Sequence, residues 1–194
     1  MRKRALRNVL SIPSLSNLVT TVLTADFTTL DPTESRFKKI THILLDPSCS
    51  GSGLDRLEYN QDDSDLSSRL RNLATFQTSL LKHALSFPSV ERVVYSTCSY
   101  HTEEDEQVVK EVLNETEGWR VLRREEQPEG LRNWPRRGLS EECDSEDIAQ
   151  GCIRCEKGTD GTIGFFAVGF VRDTHSQTIH EDENEEEEWQ GIPE

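Results

Sequence analysis

Two cysteines lie 49 positions apart in matching surroundings, and they constrain the fold of this 194-residue chain more than any other feature. Cys49 closes the run Leu44-Leu45-Asp46-Pro47-Ser48-Cys49 and opens Ser50-Gly51-Ser52-Gly53. Cys98 closes Val93-Val94-Tyr95-Ser96-Thr97-Cys98 and opens onto Ser99. Short apolar runs with β-branched residues read as buried parallel strands. In open α/β sheets, ligands and chemistry gather beyond the carboxyl ends of such strands. The pattern therefore predicts both thiols on one rim of one sheet, where a sulfur near helix N-termini can serve as a nucleophile. Two buried structural cysteines are the plain alternative. Against it, Ser-Gly-Ser-Gly offers no packing rationale in the sequence.

The rest of the chain alternates strand and helix. Residues 2–11 read as a helix with a basic face, and residues 18–25 as a β-branched strand. Residues 41–45 and 91–97 read as the strands that carry the two cysteines. Between them, Leu66, Leu70, Leu73, Phe76, Leu80, Leu81 and Leu85 follow helical spacing, with Ser64 placed to cap the start and Pro88 to stop the end. Thr102 reads as the cap of a second helix reaching about Leu113, with Glu103, Glu104 and Asp105 in the first turn, where acids suit the helix dipole. Residues 119–122 suggest a short strand, residues 125–162 are polar and irregular, and residues 164–171 form a last strand, apolar on both faces. This order implies a doubly wound α/β sheet.

Composition narrows the class. A chain of 194 residues can form one domain. Its apolar stretches fall far short of the roughly 18 residues of a membrane span, so no membrane association is expected. Met1-Arg2-Lys3-Arg4 is basic, but no apolar segment follows to make a signal peptide. Five cysteines, an odd number, suit a reducing compartment. The formal net charge is −14, and nine of the acids lie in residues 173–194, which read as a disordered, self-repelling tail. Residues 1–40 hold seven Lys or Arg against three acids. A mildly acidic body with one basic patch implies weak autonomous affinity for nucleic acid, because phosphate contacts dominate that binding.

Asp46-Pro47-Ser48-Cys49-Ser50-Gly51-Ser52-Gly53, followed by Tyr95-Ser96-Thr97-Cys98-Ser99, resembles the paired-cysteine signature of the NOP/SUN-type RNA cytosine-5-methyltransferases. The Pro-Ser-Cys form points to the branch that modifies large-subunit ribosomal RNA. The likeness covers roughly residues 1–115 and 152–171. It implies a Rossmann-like methyltransferase sheet, truncated at its N-terminal half. Residues 1–172 would be the C-terminal part of an S-adenosyl-L-methionine-dependent domain, with an irregular insert at about 125–162 and an acidic tail at 173–194. It further implies S-adenosyl-L-methionine as cofactor, RNA as partner and nuclear or nucleolar residence, and it names no protein partner. By the same resemblance Cys98 is the nucleophile that attacks carbon 6 of cytosine, and Cys49 assists product release. Asp46 matches an acid between base and cofactor, Asp26 an acid that contacts the adenine amine, and Arg2 a basic position beside the cofactor. The target base must leave its stack to reach such a site. Glu104 and Arg154 also match family positions, and residues 134–139 resemble a family loop suited to stacking and phosphate contact.

Two other readings remain open at this level. The chain is a non-catalytic remnant that binds RNA or a protein partner, with bare apolar faces and an unpaired sheet edge. Or Cys152, Cys155, His175 and His180 form a zinc-dependent interaction module. The gap between the Cys and His pairs is 19 residues, longer than usual, and it contains the expected last strand.

Overall fold

The computed structural model describes residues 23–54 and 63–173. The chain divides into two compact units, Met1–Leu30 and Asp31–Glu194. In the first, Asp26 starts a 3-10 turn at Phe27–Thr29 by accepting from the Thr28 backbone N–H. Residues 23–25, the described end of the expected 18–25 strand, are in neither strand nor helix. The remainder of that strand, the expected helix at 2–11 and Arg2 lie outside the described residues, as does the acidic tail beyond Asp173.

The second unit is built on a mixed sheet of five strands: β1 (His42–Leu45), β2 (Arg92–Thr97), β3 (Trp119–Val121), β4 (Ile153–Cys155) and β5 (Phe165–Arg172). Its helices are α1 (Asp63–Leu85), α2 (Glu106–Glu115) and the short α3 (Glu129–Arg132), α4 (Ser140–Cys143) and α5 (Glu146–Gly151). β1 and β2 are parallel neighbours, with Ile43 opposite Val93 and Leu45 opposite Tyr95. β5 runs antiparallel to β2. Its other edge takes β3 at Phe170–Arg172 and β4 at Phe165–Ala167, both antiparallel. Doubly wound parallel order thus holds for β1-α1-β2 and fails at β5. Antiparallel neighbours need no crossover helix, so the residues between β3 and β5 are free to fold as a layer of their own.

One face of the sheet is covered. Leu45, Val93, Tyr95, Phe166, Val168 and Phe170 are buried on it, and α1 packs on β1, β2 and α2. The Tyr95 and Phe166 rings meet edge to face at 6.5 Å, a favoured geometry for aromatic pairs. Two expectations for the helices change. Phe76 points outward, 45% exposed, while Gln77 and Thr78 are buried on the inner side of α1. The helix begins at Asp63, so Ser64 lies within it rather than capping it. It ends before Phe87, whose α conformation is disfavoured by Pro88. Thr102 does not cap α2 either. It opens a 3-10 turn at Thr102–Glu104, and Asp105 stands at the α2 N-cap position.

The other face is open over β1 and β2. Leu44 is 75% exposed and Val94 39%, as expected for a sheet lacking a covering layer. A groove of about 370 Å³ runs from these residues to Leu122 and Leu131. Residues 125–162 are not irregular: they hold most of a 3-10 turn at Arg124–Glu126, then α3, α4, α5 and β4. Arg137 is buried at their centre and donates to Gln127 Oε1 and to the carbonyls of Leu131, Arg132 and Gln150. Gly151 is required where this layer crosses β3, since a Cβ there would sit 2.2 Å from Val121 Cγ1.

Candidate active site

β1 and β2 are parallel and in register, so the loops leaving their carboxyl ends emerge side by side. Cys49 and Cys98 are both half-buried there, and their Sγ atoms lie 3.1 Å apart. The predicted common rim is therefore found, with the two sulfurs in contact. Burial pushes the Cys49 thiol up to about 12, the hydrogen bond with Cys98 adds to this, and backbone N–H groups of Cys98 and Gly51 oppose it more weakly. At neutral pH Cys49 is therefore a thiol, and either sulfur can be the donor to the other.

Ser-Gly-Ser-Gly has a packing rationale after all. The loop folds back on the Cys98 loop: Gly53 N–H donates to the Cys98 carbonyl and Gly164 N–H to the Gly53 carbonyl, each at 3.0 Å. A Cβ on Gly53 would lie 2.2 Å from the Gly164 carbonyl oxygen, and one on Gly164 2.2 Å from the Tyr100 ring. Gly51 has φ 73°, in the left-handed region open to glycine. The serines bond across the same seam. Ser99 Oγ lies 3.2 Å from Ser50 Oγ and 3.3 Å from Ser52 Oγ, and the Tyr100 N–H donates to Ser52 Oγ.

Beneath the seam lies a fully buried carboxylate that sequence reasoning placed on a helix dipole. Glu104 Oε1 accepts from the Ser50 N–H at 2.8 Å and from Gln77 Nε2 at 3.0 Å, and Oε2 accepts from Ser99 Oγ at 2.6 Å. Its neighbours bind elsewhere. Asp105 accepts from Thr97 Oγ1 at 2.6 Å, and burial pushes its carboxyl well above the usual carboxylate range. Glu106 takes Arg154 Nε at 2.6 Å, and Arg154 also pairs with Asp105, so Arg154 ties β4 to the start of α2. Sequence reasoning missed this cluster because Phe76, beside Gln77, satisfied the apolar stripe of α1.

Asp46 and Asp26 are the remaining expected site residues that the structure describes. Asp46 is exposed just past β1 and accepts from Ser96 Oγ at 3.4 Å, on the open side of the sheet. Asp26, in the first unit, spends its Oδ1 locally on the Thr28 N–H and Oγ1. Arg2 lies outside the described residues. Asp46 and Asp26 are both exposed. The loop expected at RNA is turned inward: Trp134 Nε1 donates to the Arg154 carbonyl, and Arg136 pairs with Asp160 and Glu156. Cys152 is fully buried and hydrogen-bonded to Cys143, which raises its thiol well above the usual range. His175 and His180 of the zinc reading lie outside the described residues, and among the described residues no group of three His, Cys, Asp or Glu is arranged to hold a metal.

Comparison with known proteins places this geometry. The sequence profile described as 16S rRNA methyltransferase RsmB/F matches residues 2–139. The chain is 42% identical over 181 residues to the 25S rRNA (cytosine-C(5))-methyltransferase rcm1 of Schizosaccharomyces pombe, covering 91% of the chain and 38% of that protein. It is 44% identical over 149 residues to the 28S rRNA (cytosine-C(5))-methyltransferase of Mus musculus, covering 76% of the chain and 30% of that protein. The chain thus spans only a part of these relatives' length. Among solved structures, a methyltransferase homologue from Pyrococcus horikoshii aligns with TM-score 0.60 at 22% identity, over 88% of this chain and 50% of that one. NSun6 from Pyrococcus horikoshii with SFG aligns with TM-score 0.61 at 18% identity, over 89% of this chain and 39% of that one. The Rossmann-like methyltransferase sheet expected from the sequence is the fold found.

Proposed function

This chain belongs to the RsmB/F methyltransferase family, and on that premise we propose that it is the cysteine-bearing part of an RNA cytosine-5-methyltransferase acting on large-subunit ribosomal RNA. The methyl donor is S-adenosyl-L-methionine. The observation that carries this reading is the pair of sulfurs 3.1 Å apart at the ends of two parallel strands, with Cys49 held protonated. The choice of RNA is supported by the relatives, whose names put their action on 25S and 28S rRNA. A nucleolar location goes with that substrate.

Carbon 5 of cytosine is a poor nucleophile. Addition of the Cys98 thiolate at carbon 6 forms an S–C bond and moves an electron pair onto carbon 5. S-adenosyl-L-methionine supplies the methyl group when bound, and Asp46 is the described residue placed to hold donor or base. Carbon 5 must then lose its proton, which solvent water takes up, as the S–C bond breaks and its electron pair returns to the Cys98 sulfur. The Cys49 S–H, donating to the departing Cys98 sulfur, stabilises the thiolate as it leaves. Cys98 is thus the nucleophile and Cys49 the release residue.

RNA containing 5-azacytidine tests this reading, because it cannot complete the elimination. Mixed with that RNA and S-adenosyl-L-methionine, the protein forms an adduct that survives denaturing electrophoresis. Cys98→Ala abolishes the adduct. Cys49→Ala keeps it and accumulates a similar one with ordinary RNA. An adduct persisting in Cys98→Ala reverses the two roles. A folded protein that forms none in any version is a non-catalytic remnant.

A further inference from the structure

Glu104 is a fully buried acid beside the cysteines, and the chemistry above does not use it. It comes from the 3-10 turn that follows the Cys98 loop, and its side chain is fully buried. Its two oxygens bind the residue after each thiol: Ser50, which follows Cys49, and Ser99, which follows Cys98. Gln77 completes the arrangement from α1, donating from Nε2 both to Glu104 Oε1 and to the Ser48 carbonyl, at 3.0 Å each. The backbone is therefore gripped on both sides of Cys49, and the Ser99 side chain is held just after Cys98. The Glu104 carbonyl in turn accepts from the Tyr95 hydroxyl at 2.6 Å, which ties the turn back to β2.

The type of side chain matters. Three donors converge on this point, and a carboxylate is the side chain that only accepts, at two oxygens with about four lone-pair sites. Bonds to such an acceptor are shorter and stronger than neutral ones. Aspartate, one methylene shorter, would draw the carboxyl back toward the 3-10 turn and away from both loops. We infer that Glu104 is the positioning residue of the cysteine pair: its buried carboxylate clamps Ser50 and Ser99 and so sets the distance between Cys49 Sγ and Cys98 Sγ. The inference rests on reading that pair as the reacting one. Glu104 itself touches neither substrate nor sulfur.

The test reads the spacing first, without RNA. Dibromobimane alkylates two neighbouring thiols and becomes fluorescent once both arms have reacted. Peptide mapping locates the bridge. In the wild-type chain a Cys49–Cys98 bridge is the main product. Glu104→Ala and Glu104→Asp shift it to singly alkylated cysteines at unchanged far-UV dichroism. Ser99→Ala removes one arm of the clamp and falls between. Glu104→Gln restores most of the bridge, because its oxygen still accepts from Ser50 N–H while its amide faces a hydroxyl able to accept. Should Glu104→Ala fail to fold, Ser99→Ala and Glu104→Asp decide the matter. Bridge yields equal to wild type in Ser99→Ala and in each folded Glu104→Ala or Glu104→Asp variant overturn the inference.

The second reading uses 5-azacytidine RNA. An ångström of misplacement costs up to about 100-fold in rate, so adduct formation by Glu104→Ala at saturating RNA falls on that scale while the half-saturating RNA concentration stays put. A purely structural loss would lower the active fraction, and Glu104→Gln would then not rescue the rate. If the wild-type protein bridges with bimane but forms no RNA adduct, the proposed reaction fails and the clamp stands. If it forms the adduct while bridging ignores Glu104, the reverse holds.

Discussion

The two faces of the sheet differ in what they ask of their residues. On the covered face, Tyr95, Phe166 and Phe170 are almost wholly removed from water beneath α1 and α2. The loops above that face carry the cysteines and the buried Glu104 clamp. On the open face, Leu44 and Val94 come from the same two strands and alternate with those core residues, yet they stay in contact with solvent. Residues 122–151 cover only the β3 and β4 end of that face. The site is thus assembled where packing is complete, while Asp46 and Ser96 stand at the open side. Rigid placement of the sulfurs comes from the first face, and access comes from the second.

The comparison breaks most visibly in the core. Phe166→Ala should cost about 3–5 kcal/mol, the usual range for emptying a buried aromatic site, read as a lower denaturant midpoint. It should also loosen Arg154, whose guanidinium lies 5.7 Å from the Phe166 ring centroid. A loss below 1 kcal/mol would mean that the covered face is not the core. Gly53→Ala should cost less, about 1–3 kcal/mol from overpacking, because the new methyl meets the Gly164 carbonyl. It should also slow RNA adduct formation, since the displaced loop carries Cys49.

On the open face the same chemistry should pass almost unnoticed. Leu44→Lys should change stability by no more than about 0.5 kcal/mol, as for ordinary surface positions, and should reduce self-association in light scattering. A large destabilisation would show that Leu44 is covered in solution. The smallest effect concerns Cys49. Its thiol is pushed up to about 12, and a raised value keeps the protonated form dominant below it. Iodoacetamide labelling of Cys49, followed by peptide mass spectrometry, should therefore be slow at pH 7 and rise about tenfold per pH unit to pH 9 without levelling off, because the reactive thiolate stays a minor form throughout. A plateau in the rate within that interval would show that Cys49 ionises there.

The repeated pattern of apolar run, cysteine and small residues was enough to place Cys49 and Cys98 on one rim, because parallel strands that end alike must deliver their loops to the same edge. Helical spacing located α1, and short apolar runs with β-branched residues located β1 and β2. Strand polarity beyond β2 was not legible, since an apolar run such as that of β5 reads the same in either direction. Period alone also could not show that Phe76 faces out and Gln77 in. That choice depends on a carboxylate 27 positions away, where Gln77 meets Glu104. Glu104 itself looked like a first-turn acid, and Ser-Gly-Ser-Gly looked free of packing. Both acquire their roles only when two loops distant in sequence close on each other, because a buried acceptor with three donors and a glycine without room for a Cβ are properties of contact. The local sequence determined which two cysteines come to one rim, and the tertiary structure decided what holds them 3.1 Å apart.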